Sequence, residues 1–260
     1  VATIQAYAKK GGKYLIKLQP KADGGKNLYC GQRIDVSNHT ELVIVSESTN
    51  ISLCVKSTMS KDPNIYSDLF RVEDGSSLTL GDNEKNGKHG VILDGRGTAH
   101  MGRLVCVEVG GSLNIYPGTE IKNNNSMDGR GSGIINKGTM MMYGGTISGN
   151  KFATTEKNFQ EVNLKDDDDK TYCHGGGLRN DGNCTIKDGT ISGNTAATGG
   201  GIYTTGPDYE SDQKEAVLKI TKCKIENNKA LGTDRGTGGG IVVGSYMGSY
   251  YDKTLKKNVP

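Results

Sequence analysis

Four stretches of this chain end alike: Ile121-Lys-Asn-Asn, Ile147-Ser-Gly-Asn, Ile191-Ser-Gly-Asn and Ile225-Glu-Asn-Asn. Ahead of each lies an apolar i, i+2 pair: Leu113 and Ile115, Met140 and Met142, Cys184 and Ile186, Leu218 and Ile220. Val107, Ile134 and Leu178 stand at one fixed offset before the first three pairs, and Ile202 takes that place in the fourth after a longer connection. The same ruler extends backwards. Phe70, Val72, Leu78 and Leu80 have the offsets of Val105, Val107, Leu113 and Ile115, and Ile34, Val36, Leu42 and Ile44 have them again. Ile241 opens a further turn after Gly238-Gly-Gly. An i, i+2 pair marks a strand with one buried face. A repeat that is one supersecondary unit long buries that face only by stacking on its neighbours.

The spacing therefore predicts an all-β parallel β-helix of about seven coils. Each coil holds short strands separated by turns, and the coils rise by about 4.8 Å per level. Insertions belong in the turns of such a solenoid, and extra length collects at 81–90, 151–174 and 205–216. Residues 1–27 do not follow the ruler and are read as an N-terminal cap, with Tyr14-Leu-Ile-Lys-Leu as a cap strand. The β-helix is placed at 28–245 and a C-terminal cap or tail at 246–260. Right-handed coils follow from the crossover rule for parallel strands.

Composition agrees and excludes the rivals. The chain has 260 residues, of which 39 are Gly, five Pro, three Phe and none Trp. Gly is clustered rather than placed at every third residue, which excludes collagen. No run approaches the roughly 18 apolar residues of a membrane-spanning helix. So much Gly is incompatible with a bundle of long helices. The 32 Lys and Arg nearly balance the 29 Asp and Glu, giving a net charge of +3, so no nucleic-acid partner is expected. The chain starts at Val1 without a charged-then-apolar leader, as a mature or excised piece would. The six cysteines (Cys30, Cys54, Cys106, Cys173, Cys184 and Cys223) show no zinc-like spacing, and their pairing is left open.

The strings Gly175-Gly-Gly-Leu-Arg-Asn…Thr-Ile-Ser-Gly-Asn194 and Gly199-Gly-Gly-Ile-Tyr…Ile-Glu-Asn-Asn228 resemble the right-handed, pectin-lyase-like β-helix repeats of bacterial surface proteins. Similar repeats occur in polymorphic outer-membrane proteins and in large adhesins. The resemblance covers about residues 28–245 and is specific for fold. It implies a secreted or cell-surface protein. The clustered Asp pair with Gly-His-Gly of polygalacturonases is absent from this sequence, as is the paired Arg motif of pectate lyases, so the resemblance leans toward adhesin-like modules.

Candidate residues follow from these readings. Asn124, Asn150, Asn194 and Asn228 share one coil position and are expected to form a structural amide ladder. Cys184 aligns with interior hydrophobes, whereas Cys106 aligns with Arg71 and is expected to face outward. Asp94-Gly-Arg-Gly and Asp128-Gly-Arg-Gly recur in turns between coils. A rim of Asp94, Arg96, Asp128, Arg130 and His174 would supply acid–base groups to a polysaccharide lyase or hydrolase, while Asp-Gly is equally a common turn dipeptide. Tyr203 and Tyr209 are expected at exposed positions where they would stack on a sugar or protein ligand; Tyr246, Tyr250 and Tyr251 would cover a solenoid end. Asp166, Asp167, Asp168 and Asp169 form a solvated acidic run that matches an enteropeptidase recognition sequence, and Ca²⁺ binding there is the one cofactor reading. The first functional expectation is an adhesin-like module binding a host or matrix glycan or protein. The others are a lyase or hydrolase with a groove along one sheet, and a structural spacer.

Overall fold

The computed structural model describes residues 11–48, 51–56, 68–83, 87–100, 102–127, 131–152, 174–205, 216–231, 238–244, 250–252 and 257–259. Among them there is no helix, and three parallel sheets of seven strands each carry the architecture. One coil illustrates the path. The chain runs through Ser112–Ile115 in sheet one and Glu120–Lys122 in sheet two. It passes a short strand at Asn125–Ser126 on the corner and reaches Ile134–Asn136 in sheet three. Thr139–Met142 then lies beside Ser112–Ile115, one level higher. This is a parallel β-helix.

The register is the one the spacing implies. Val105 and Val107 pair with Phe70 and Val72, and Leu113 and Ile115 with Leu78 and Leu80. Two interior columns in sheet one run Leu42, Leu78, Leu113, Met140, Cys184 and Ile44, Leu80, Ile115, Met142, Ile186; none of these side chains is more than 4 % exposed. Burying one such side chain stabilises the fold by about 1.5–3 kcal/mol, so the ladder is the main driving force. Cys184 is an interior hydrophobe, as its alignment predicts.

Lys13–Leu18 extends the columns by one further strand. It is the terminal strand of sheet one, with Tyr14 beside Leu42 and Ile16 beside Ile44. Asn27–Cys30 is the terminal strand of sheet two. The sequence reading placed Lys13–Leu18 in the N-terminal cap and began the β-helix at residue 28, yet the first strand is a full level of the solenoid rather than a separate cap. At the opposite end the sheet-one columns run into Leu218 and Ile220, the latter 37 % exposed, and in sheet three Ile202 is followed by Ile241, 41 % exposed. Ile241–Gly244 is the outermost strand of sheet three. Tyr250–Asp252 and Lys257–Val259 pair as an antiparallel hairpin.

The glycine triplets have a packing reason. A Cβ on Gly177 would sit 2.7 Å from the carbonyl oxygen of Gly201 and 2.9 Å from the amide nitrogen of Asn194. Gly201 faces the corresponding atoms of Gly240 and Asn228 at 2.5 and 2.9 Å. At Gly177 and Gly201 the asparagine column thus presses on the backbone of the following strand. Any side chain there would push two levels apart.

Candidate functional site

Sheet two presents an outward column in which Tyr29, Cys54, Asp94 and Lys122 lie on successive levels. Tyr29 is 50 % exposed, whereas Cys54 above it is fully buried. The turn after Asp94 folds back over this column. The Asp94 carboxylate accepts from the Arg96 backbone N–H at 2.7 Å and from Asn123 Nδ2 at 3.3 Å. The backbone N–H groups of Gly95 and Gly97 donate to Lys122 and Asn123 on the next level. Arg96 itself has φ of +54°, a left-handed conformation that a side chain rarely adopts, and Gly97 follows at +68°. Turns of this kind, pinned by the level above, hold their outward side chains in fixed positions.

The result is an open recess of about 550 Å³ lined by Tyr29, Val55, Lys56, Arg96 and Thr98. The Arg96 guanidinium carbon stands 5.6 Å from the Tyr29 ring centroid and Lys21 Nζ stands 5.4 Å from it, both within cation–π range. Burial raises the Cys54 thiol above its ordinary pKa, against the opposing hydrogen bond from Arg96, so the sulfur beneath the recess is a neutral thiol.

A second outward cluster lies on sheet three. His174, placed just before Leu178–Asn180, stacks on Tyr203 with ring centroids 4.2 Å apart. The Arg179 guanidinium carbon stands 5.9 Å from the Tyr203 ring centroid, and its Nε is held by the Asp181 carboxylate at 2.9 Å. Burial and then the Arg179 charge push the His174 imidazole down to about 3, so it is neutral at ordinary pH. Tyr203 differs from the exposed position expected of it: it is 9 % exposed. Its ring is taken up by His174, and its hydroxyl lies so close over Gly244 that a Cβ there would sit 2.0 Å from it. Cys106 differs similarly. It occupies the outward column between Arg71 and Ile135, yet it is 2 % exposed beneath Glu108, which bridges Arg71 at 2.8 Å and Lys137 at 2.9 Å.

A third cluster lies on sheet one, where Tyr116 and Tyr143 stack at 4.7 Å and 7°, with Lys187 Nζ 4.7 Å over Tyr143. The spacing of the rings equals one level of the solenoid. Sequence reasoning passed over this column and over Tyr29, because Tyr116 and Tyr143 follow an i, i+2 pair, Tyr29 lies between Leu28 and Cys30, and each gains meaning only from its neighbours on other levels.

The asparagines form a hydrogen-bonded column. Backbone N–H groups of Asn124, Asn150 and Asn194 donate to the side-chain oxygens of Asn150, Asn194 and Asn228, each at 3.0 Å. Amide nitrogens of Asn150, Asn194 and Asn228 donate back to Ile121, Ile147 and Ile191 carbonyls at 2.9–3.0 Å. Of the proposed acid–base rim, Asp94 closes a strand of sheet two and His174 precedes a strand of sheet three two levels further along. Asp128, Arg130, Tyr209, Tyr246 and the run Asp166, Asp167, Asp168, Asp169 lie outside the described residues. Among the described residues no group of three or more His, Cys, Asp or Glu is placed to hold a metal ion. No helix among them is long and apolar enough to cross a membrane.

No protein-family model, curated protein or solved structure matches the chain.

Proposed function

We propose that the chain is an adhesin-like β-helix module, secreted or displayed on a bacterial surface, that binds a host or matrix glycan or protein through side chains held on a rigid rod. The observation that carries this reading is the half-exposed Tyr29 ring set in a recess beside Lys56 and Arg96. Exposed tyrosines provide apolar contact with a polar end and lose little conformational entropy on binding. A stacked coil gives such a residue a fixed position, which lowers the cost of association.

The acid–base groups support binding over catalysis. The Asp94 carboxylate is tied into its own turn by two hydrogen bonds, and the His174 ring is stacked on Tyr203. One observation favours a second reading, a polysaccharide lyase: Lys56 and Arg96, residue types able to take a sugar C5 proton, both line the recess.

A glycan-array screen of the purified chain, with parallel assays for new reducing ends and for unsaturated uronates, tests both. Saturable binding without product is the expected result. Product formation would replace the first reading by the second. Silence in all three assays would remove the glycan reading and leave a protein ligand or a spacer role.

A further inference from the structure

The geometry points to the Tyr29–Arg96 recess as a subsite for an acidic sugar unit, carboxylated or sulfated, with the sugar lying on Tyr29 and its anionic group held by Arg96 and Lys56. This rests on the glycan-binding reading and adds the site and the charge class of the ligand.

Three observations carry it. The first is local charge. Lys21, Lys56 and Arg96 lie around the ring and all three are exposed, while Asp94 stands on the same outward column. That carboxylate faces inward to the turn, where the Arg96 N–H and Asn123 amide take up one of its oxygens. The neighbouring Lys122 is already matched by Glu120 on its own strand. An anion entering the recess therefore meets the exposed cations Lys56 and Arg96 that line it. Guanidinium hydrogen bonds to carboxylate or sulfate are among the stronger polar contacts available.

The second is shape. The recess is open, and its lining combines the half-exposed Tyr29 ring with the Thr98 hydroxyl, a donor or acceptor. A pyranose has an apolar C–H face and a polar rim, and this arrangement complements both. The open side lets the polymer continue beyond the bound unit.

The third is backbone conformation. Arg96 keeps a left-handed φ of +54° in a turn anchored by hydrogen bonds from Gly95 and Gly97 to the next level. Glycine would fit that position without strain, so an arginine there spends conformational energy to place its guanidinium over the recess.

Titration calorimetry of the whole chain with polygalacturonate, heparin and neutral dextran fragments tests this. Binding of at least one acidic polymer is expected, weakening as salt is added, with none to dextran. A preference for polygalacturonate assigns the carboxylate, and one for heparin assigns the sulfate. Arg96→Gly is expected to weaken binding roughly 10-fold or more without lowering Tm, because glycine suits the turn. Tyr29→Ala is expected to weaken it by a similar factor, whereas Tyr29→Phe keeps most of it. The exposed Lys56→Gln variant, which leaves the fold untouched, should lose severalfold and lose salt sensitivity with it. Equal binding to dextran overturns the inference, as does acidic-glycan binding indifferent to Arg96→Gly and Lys56→Gln; in either case the module still binds glycans elsewhere. A chain that binds no glycan on the array and none of these polymers overturns the glycan reading itself.

Discussion

One side-chain oxygen of Asn194 accepts two hydrogen bonds from Asn150, from its backbone N–H and from Nδ2, both at 3.0 Å. Asn150 repeats the arrangement one level down by accepting from the Asn124 N–H, and its Nδ2 also reaches the Ile121 carbonyl at 3.0 Å. All three asparagines are completely buried. Asn150→Ala strands the Asn124 N–H and the Ile121 carbonyl away from water. Each orphan costs about 1–3 kcal/mol, so a loss of roughly 2–4 kcal/mol is expected, read as a lower urea midpoint at unchanged m. Asn150→Asp should cost at least as much, since it sets a carboxylate oxygen against the Ile121 carbonyl.

The Tyr116–Tyr143 stack and Lys187 form a three-level outward column on sheet one. Tyr143→Ala removes both contacts and should destabilise by about 1–2 kcal/mol beyond what surface substitutions cost. Lys187→Gln should cost about 0.5–1 kcal/mol. A double-mutant cycle should give less than the sum, because both substitutions remove the same cation–π contact.

Acid should weaken the fold well before the carboxylates titrate. His174 is held down to about 3, and burial also lowers His100, both from an ordinary value of 6.5. Below pH 6.5 the unfolded chain gains protons that the folded chain refuses, so stability is complete above that pH and falls as pH drops toward 3. The slope is at most about 1.4 kcal/mol per pH unit for each histidine. Urea midpoints between pH 7 and 4.5 isolate this effect from the acidic groups. His174→Gln should flatten the profile, and an unchanged slope would show that the ring is protonated in the folded protein.

The thiols of Cys106 and Cys184 are pushed up to about 12 by burial. Neither should react with a thiol-directed reagent at pH 8 until the chain unfolds, whereas the partly exposed Cys30 and Cys223 should react in the native state. Mass spectrometry of labelled peptides with and without denaturant checks the order.

The interior columns were legible because their signal is local and repeated. Leu113 with Ile115, or Met140 with Met142, announces a one-sided strand within three residues, and the fixed offset to the next pair carries the register. The strand Lys13–Leu18 was expected as a cap strand off the ruler, yet its Tyr14 and Ile16 continue those columns. Outward residues were read less well. Cys106 and Tyr203 hold outward places, yet Glu108 with its two cations covers one, and His174 with Gly244 covers the other. Cover of that kind comes from side chains on adjacent levels, and no short window of sequence contains it.

The amino-acid sequence alone determined the parallel coil, the alignment of its levels and the side chains filling it. Each of these follows from a two-residue strand period repeated at a constant spacing, with glycine and asparagine marking the turns. Only the tertiary structure decided which outward groups meet. Tyr29 and Arg96 are separated by slightly more than two coils of chain and approach because their levels stack close together and a left-handed turn bends back toward the column. That approach depends on turn conformation and on the path of the corner, neither of which the periodic interior constrains.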